Sequence, residues 1–145
     1  LSEDGSAEAG LARVTALLDE AGASPNGYDL FDGSGMSVYN RASPRTIVSL
    51  LTYAAAQDWG EAWKDMFPVG GTDGSLKRRF RGTILESNIF AKTGTLKGTN
   101  ALSGYMVAAS GQTLAFSVIA NERPLAVSSA TPMMDAALVR IAEGN

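Results

Sequence analysis

Two absences limit the chemistry that this chain can perform. Its 145 residues contain no cysteine and no histidine, which excludes thiol nucleophiles, zinc-finger spacings and a Ser-His-Asp triad. Catalysis would therefore depend on lysine, hydroxyl or carboxylate groups. The sequence implies no metal and no cofactor.

One short string combines such groups. Lys92-Thr93-Gly94-Thr95 lies at the end of a predicted strand. A string of this length also occurs by chance, and by itself it more often marks a strand-ending lysine exposed to water. Its surroundings must therefore decide what it does.

Two other strings place a serine among glycines. Asp32-Gly33-Ser34-Gly35 could present an exposed nucleophile, but a serine nucleophile needs a base and the chain has no histidine. We therefore interpret this string as a turn capped by Asp32. We interpret Asp73-Gly74-Ser75 in the same way, as a turn first and a substrate contact second.

The composition fits one globular domain or part of a larger one, with 45% hydrophobic and 19% charged residues. The net charge of −3 offers no basic field for nucleic acid, so we expect a peptide or a small molecule as partner. The longest apolar run, around Leu114 to Ala120, is shorter than the roughly 20 residues of a membrane span. Leu1 to Gly10 lack the features of a signal peptide.

Helical spacing and breakers dominate the first half of the chain. They predict a helix from Ala7 to Ala21 capped by Ser6, a strand from Tyr28 to Phe31, a helix beginning at Ser43-Pro44, a short helix from Glu61 to Phe67, and a loop from Val69 to Leu76.

The last third is rich in β-forming residues. It predicts strands from Ile84 to Thr95, Ala101 to Ala109 and Thr113 to Asn121, with a turn at Ser110-Gly111. A last helix is predicted to begin at Thr131-Pro132, with Thr131 as its cap. The buried face of that helix is predicted to carry Met134, Ala137, Leu138 and Ile141. The fold class is therefore α+β, an antiparallel sheet with helices on one or both faces.

Two further features have plain structural interpretations. Lys77-Arg78-Arg79 with Arg81 is more typical of a solvated face than of a site for an anionic cell-wall peptide. Trp59 and Trp63 stand four residues apart on a helical stretch, so we expect packing rather than a ligand platform.

Several blocks surround the lysine string in a fixed order. They are Phe31-Asp32-Gly33-Ser34-Gly35-Met36-Ser37, Ser43-Pro44, Pro68-Val69-Gly70-Gly71-Thr72-Asp73-Gly74-Ser75-Leu76, Ala91 to Gly98 around the string itself, and Leu102-Ser103-Gly104-Tyr105. This order resembles the C-terminal third of the class C penicillin-binding proteins, periplasmic D-alanyl-D-alanine carboxypeptidases that also cleave peptidoglycan cross-links. The third signature of penicillin-recognising enzymes is K-T-G. The resemblance implies that residues 1–145 are the C-terminal part of a penicillin-binding, transpeptidase-like domain.

The resemblance also implies roles for five residues. Lys92 would hold a positive charge beside the nucleophile, and the Thr93 and Thr95 hydroxyls would face the terminal carboxylate of the substrate. Gly94 would leave room for the substrate backbone, and Leu96 would contact the substrate. The N–H of Thr95 would be one of two oxyanion donors. Lys92 and Thr95 are thus the expected catalytic residues.

The match has gaps. No serine is followed three residues later by lysine, so the S-x-x-K nucleophile motif is absent, and S-x-N occurs only as Ser24-Pro25-Asn26 in a proline breaker. Val38 stands where relatives often carry a basic residue that faces the substrate side chain. We expect a fragment that is inactive alone and is completed by the missing N-terminal part of the same protein.

The resemblance leaves three functions open. The first is serine acylation and deacylation of peptidoglycan stem peptides, with β-lactams as inhibitors. The second is a β-lactamase or esterase that uses the same motifs. The third is a non-catalytic module that keeps the fold to bind a peptide.

Overall fold

The structure is a computed structural model that describes residues 5–96, 98–122 and 129–145. Residues 1–4 of the segment from Leu1 to Gly10, and Lys97 of the block from Ala91 to Gly98, lie outside the described residues. The elements in chain order are α1 (Ala7–Glu20), β1 (Tyr28–Asp29), β2 (Arg41–Ala42), α2 (Pro44–Ala55), α3 (Gly60–Lys64), β3 (Ile89–Leu96), β4 (Thr99–Val107), β5 (Thr113–Ala120) and α4 (Thr131–Glu143). The predicted α+β class is confirmed. No helix in the described ranges is long and apolar enough to cross a membrane.

The centre of the fold is an antiparallel meander in the order β3-β4-β5. The alternation of side chains along these strands gives the sheet two faces. The first face packs against α4 and the segment before β3. Its buried core consists of Ile89, Ala91, Leu102, Met106 and Phe116 from the sheet, Met134, Leu138 and Ala142 from α4, and Leu76, Phe80 and Leu85 from the preceding segment.

The second face of the sheet packs against α2. The buried Tyr105 on β4 donates its hydroxyl hydrogen to the carbonyl of Leu51 in α2 at 2.6 Å. A row of aromatic rings continues from Tyr105 through Phe67 and Trp63 to Trp59, with centroids 5.5 to 6.1 Å apart. Helices therefore cover both faces. Trp63 packs between two rings as predicted, whereas Trp59 contacts it at the end of the row and is itself 48% exposed.

Two predicted helix caps are confirmed. Ser6 accepts a hydrogen bond from the N–H of Ala9 at 3.2 Å, and Ser43 accepts one from Thr46 at 3.1 Å. Each cap satisfies a backbone donor that the first turn leaves free. The cap predicted at Thr131 is wrong, because Thr131 already lies inside α4 and its own N–H donates to the hydroxyl of Ser129 at 3.1 Å.

Three predicted elements are longer than the observed ones by two or more residues. The strand predicted from Ile84 begins only at Ile89, because residues 84–88 form turns in which Ser87 has a positive φ of 61°. The strand predicted to reach Phe31 ends at Asp29, because the N–H of Phe31 donates to the side chain of Asn40 at 2.7 Å. The helix predicted over 61–67 ends at Lys64, where tight turns replace it.

The buried helix faces also differ in part from prediction. In α4, Met134 and Leu138 are buried as expected. Ala137 and Ile141 are exposed instead, Ile141 by 46%, and Ala142 lies in the core. Positions 134, 138 and 142 follow each other at intervals of four, which selects a narrower stripe than the predicted one. In α1 the sole buried residue is Leu18.

Candidate functional site

Lys92-Thr93-Gly94-Thr95 lies in the second half of β3, next to the turn into β4. Because successive side chains of a strand alternate between its faces, Thr93 and Thr95 lie on the face that carries the main core. Lys92 lies on the opposite face, where it is paired with Ser103 across the ladder. The structure therefore brings the two threonines together and places the lysine on the other side of the strand.

Among the described residues, the outer edge of β3 has a neighbouring segment only at its beginning. The N–H of Gly70 donates to the carbonyl of Ile89 at 2.9 Å, and the N–H of Ala91 donates to the carbonyl of Pro68 at 3.0 Å. The segment 68–70 thus acts as a short fourth strand beside 89–91. This cover ends before the lysine string begins.

Beyond Pro68, no described segment pairs with the outer edge of β3. In an antiparallel strand every second residue directs its N–H and C=O to the same edge, so Thr93 and Thr95 present theirs where Ala91 does. Neither N–H donates to another group in the described part of the chain. Free donors on an edge strand can bind an extended peptide or an anionic oxygen.

The side chain of Lys92 is exposed at this end of the strand. Its Nζ donates to the carbonyl of Thr93 at 2.8 Å. Across residues 5–96, 98–122 and 129–145, no carboxylate forms an ion pair with it. An unneutralised ammonium held against the strand favours an anion in its surroundings.

The hydroxyl of Thr93 has a partner from a distant part of the chain. Its Oγ1 donates to the Oγ of Ser75 at 3.1 Å, and both side chains are accessible. The Asp73-Gly74-Ser75 turn therefore reaches the lysine string through Ser75.

Two glycines set how closely atoms approach this strand. A Cβ on Gly104 would lie 2.0 Å from the carbonyl oxygen of Phe90, so a side chain there would push β3 and β4 apart. A Cβ on Gly94 would lie 3.3 Å from the Cβ of Ala101, a tight contact that small movements of the neighbouring atoms could relieve. Gly104 is thus needed for the fold, whereas Gly94 keeps space open beside the lysine string.

A cavity of about 880 Å³ opens beside the end of β3 on the α2 face. Leu96 from β3 and Val38 from the loop between β1 and β2 both line this cavity. Its other lining residues are Ser37, Asn40, Arg41, Ala42, Ile47, Gly98, Thr99, Ala101, Ser103, Ile119, Asn121 and Glu122. This volume is within the range of small-molecule sites.

The loop that supplies Val38 is organised by Asp32. The Oδ1 of Asp32 accepts hydrogen bonds from the Ser34 hydroxyl at 2.8 Å, the Ser34 N–H at 3.0 Å and the Asn40 side chain at 3.0 Å. These bonds, the one from the Ser34 hydroxyl first, lower the pKa of Asp32. A carboxylate with a lowered pKa is a poor base for activating serine, and the predicted turn capped by Asp32 is confirmed.

The basic run has a structural use for at least one of its members. Arg79 forms a two-pronged ion pair with Asp135 of α4, in which its Nε donates to Oδ2 at 3.1 Å. Arg81 donates to the carbonyl of Lys77 at 2.9 Å. Arg79 therefore attaches the segment before β3 to the last helix.

One polar pair near the site was not predicted from the sequence. Ser103 lies opposite Lys92, and its hydroxyl is 2.8 Å from that of Ser117 on β5. The pairing register that places it there is not visible in the sequence of any one strand. Within the described residues, no group of three acidic side chains is placed to bind a metal.

Comparison with known proteins gives a consistent assignment. The family model described as D-Ala-D-Ala carboxypeptidase 3 (S13) matches residues 1–143. A D-alanyl-D-alanine carboxypeptidase from Actinomadura sp. is 40% identical over 96% of this chain, which corresponds to 26% of that protein. The carboxypeptidase DacB of Haemophilus influenzae is 37% identical over 74% of the chain and 23% of its own length. The chain thus spans about a quarter of the curated relatives that it matches.

Solved structures agree on the fold. Penicillin-binding protein 4 of Haemophilus influenzae, solved with a β-lactam, superposes with a TM-score of 0.80 at 29% identity, over 95% of this chain and 34% of that one. A predatory endopeptidase of Bdellovibrio bacteriovorus superposes with a TM-score of 0.76 at 21% identity, over 95% of this chain and 37% of that one, and supports the fold alone. By sequence and by fold, the chain belongs to the D-Ala-D-Ala carboxypeptidase 3 (S13) family.

Proposed function

We propose that residues 1–145 are the C-terminal part of the penicillin-binding domain of a periplasmic serine-type D-Ala-D-Ala carboxypeptidase or endopeptidase. The full-length gene product would cleave the D-Ala-D-Ala end of peptidoglycan stem peptides through an acyl-enzyme, and β-lactams would inhibit it. The proposal is supported by family membership and by the similarity to D-alanyl-D-alanine carboxypeptidases.

The observation that carries the proposal is the open edge of β3 beside Thr93 and Thr95. The substrate would lie along this edge as an added strand, opposite β4. The free N–H of Thr95 would then donate to the carbonyl oxygen that becomes negative as the acyl-enzyme forms. This role needs a donor that is already oriented and has no other partner, and the Thr95 N–H has none among the described residues.

The other residues of the string would recognise the carboxylate at the end of the substrate. Lys92 would supply a fixed positive charge close to the nucleophile and to this carboxylate. The hydroxyls of Thr93 and Thr95, which share one face of β3, would donate to it directly. Gly94 would leave room for the substrate backbone, and Leu96 would contact the residue that precedes the scissile bond.

The reaction would also need groups that this chain does not contain. A serine from the N-terminal part would attack the peptide carbonyl, its proton would pass to a neighbouring base, and the terminal D-alanine would leave as the amine. Water would then hydrolyse the ester and regenerate the serine. A peptide amine that attacked the ester in place of water would instead form a new peptide bond and also regenerate the serine.

Release of D-alanine from a peptide that ends in D-Ala-D-Ala tests the proposal. We expect the full-length gene product to release D-alanine, and we expect Lys92→Ala to lower the rate by about 100-fold or more because a charge that favours the transition state is lost. Lys77→Ala, which removes an exposed lysine from the segment before β3, is the matched control and should retain the rate. A full-length product that releases no D-alanine and binds the peptide unchanged would support the non-catalytic alternative instead.

A further inference from the structure

The hydroxyl of Ser75 lies beside the lysine string although the two are far apart in the chain. Thr93 Oγ1 donates to Ser75 Oγ at 3.1 Å, across a sequence separation of 18 residues. Both hydroxyls are accessible from outside the fold. Neither family membership nor the string itself assigns a role to Ser75.

Ser75 is held in this place by the backbone of its own loop. The N–H of Gly71 donates to the carbonyl of Leu76 at 3.0 Å, and the N–H of Val69 donates to the carboxylate of Asp73 at 2.7 Å. Leu76, the next residue after Ser75, is completely buried in the main core. These contacts fix Ser75 on a rigid turn rather than on a free loop.

The loop that carries Ser75 is also fixed to β3. Gly70 and Pro68 form backbone hydrogen bonds with Ile89 and Ala91, directly before the string. Gly74 has a positive φ of 47°, and a Cβ there would lie 3.1 Å from the ring of Pro68, so the chain folds back tightly at this point. The distance between Ser75 and Thr93 is therefore set by the backbone fold and not by the rotamers of the two side chains.

A pair of hydroxyls can present a proton to an anion in a way that one hydroxyl cannot. Each hydroxyl has one hydrogen and two acceptor positions, and its hydrogen rotates to suit its partners. Without ligand, Thr93 donates to Ser75. When a carboxylate arrives, Thr93 can turn its hydrogen to the anion while Ser75 donates to Thr93 Oγ1, which keeps the pair intact and polarises the outer bond.

We propose that Ser75 is a positioning residue for the carboxylate of the substrate: it orients the hydroxyl of Thr93 and supports it when Thr93 donates to the anion. This role rests on the function proposed above. It predicts a selective effect, because ligands that carry the carboxylate depend on Ser75 and ligands that lack it do not.

The test uses the full-length gene product and two β-lactams, one with its free carboxylate and one in which that carboxylate is a methyl ester. Ser75→Ala should lower the acylation rate constant for the free acid by about three- to tenfold, the effect of one hydrogen bond. The rate for the ester should change by less than about twofold. Ser75→Thr should restore the rate, and Ser75→Val, which has the shape of threonine without its hydroxyl, should not.

Controls separate this role from a general loss of structure. Ser110→Ala removes an exposed hydroxyl from the β4–β5 connection and should leave both rates unchanged. Equal losses for acid and ester in the Ser75 variants would overturn the proposal, as would equal rates for Ser75→Thr and Ser75→Val. An unmodified parent protein that reacts with neither β-lactam would instead overturn the proposed function, and the role of Ser75 with it.

Discussion

The N–H of Ala91 donates to the carbonyl of Pro68 at 3.0 Å, and among the described residues this is the last backbone hydrogen bond along the outer edge of β3. Two and four residues further along the strand, the N–H groups of Thr93 and Thr95 point to the same edge and have no partner among the described residues. The end of the segment 68–70 therefore defines where a substrate strand can begin.

The first prediction concerns the N–H of Thr95. Because this N–H points to the open edge and not into the β3–β4 ladder, Thr95→Pro should remove it while the sheet remains paired. In the full-length gene product we expect β-lactam acylation to fall by about 100- to 1,000-fold, the effect of losing one oxyanion donor. Thr95→Val keeps the N–H and loses only the hydroxyl, so its loss should be clearly smaller.

The thermal midpoint of both variants shows whether the sheet has survived. If Thr95→Pro keeps the midpoint of the parent and also keeps its acylation rate, the N–H of Thr95 is not an oxyanion donor.

The second prediction concerns Gly104. Its missing side chain lets β4 lie against β3, since a Cβ would come within 2.0 Å of the carbonyl oxygen of Phe90. We expect Gly104→Ala to destabilise the protein by about 2–4 kcal/mol, as overpacking against backbone does. Gly33→Ala, at a glycine with nothing within 4 Å of the added Cβ, should change the free energy of unfolding by less than about 0.5 kcal/mol. Denaturant unfolding of both variants measures the difference, and similar values for the two would show that the close approach is not needed.

The third prediction concerns the contact between the sheet and α2. Tyr105 is 3% exposed, and burial raises the pKa of its hydroxyl. Tyr105→Phe removes its hydrogen bond to the carbonyl of Leu51 and should cost about 1 kcal/mol of stability. Tyr39→Phe changes a tyrosine that is 64% exposed and should be neutral. A Tyr105→Phe protein as stable as the parent in urea would show that this bond contributes nothing.

The fourth prediction concerns the acid side of the stability profile. The pKa of Asp32 is lower in the folded protein than in the unfolded chain, chiefly because of the Ser34 hydroxyl. The carboxylate therefore contributes stability above the ordinary Asp pKa of about 3.9, and this contribution disappears as the pH falls through the lower, folded pKa. Asp32→Asn should be less stable than the parent at neutral pH, and the gap should close in acid. A gap that stays constant with pH would contradict the prediction, as would a carboxyl resonance of Asp32 that titrates at the ordinary value.

Much of the fold could be predicted because its signals are local. Ser6 and Ser43 precede helical runs, and a hydroxyl in that position caps the first turn whatever the rest of the chain does. The meander was predicted from its β-forming residues and from the turn at Ser110-Gly111, where Gly111 has the positive φ that a tight turn requires.

The errors fall where distant contacts override local preference. Ile84 and Leu85 belong to a stretch of β-forming residues, yet they form turns because Leu85 is anchored in the core below β3. Ile141 continues the apolar pattern of α4 but lies on the exposed side, and Ala142 packs instead. Both outcomes depend on the position of neighbouring elements, which composition and spacing do not encode.

The candidate site shows the same division. The lysine string was found from its sequence, but the split between Lys92 on one face and Thr93 on the other follows from the strand, and the contact of Thr93 with Ser75 follows from the fold. The register that places Ser103 opposite Lys92 requires two strands at once. Their roles in catalysis stay predictions.

The most direct test of the central claim is the intact mass of the full-length gene product before and after incubation with a β-lactam. We predict that the protein gains the mass of one drug molecule, that the adduct lies on a serine of an S-x-x-K peptide outside these 145 residues, and that Lys92→Ala slows its formation. A full-length product that contains such a serine and gains no mass at millimolar drug would contradict the claim that this chain completes a penicillin-binding active site.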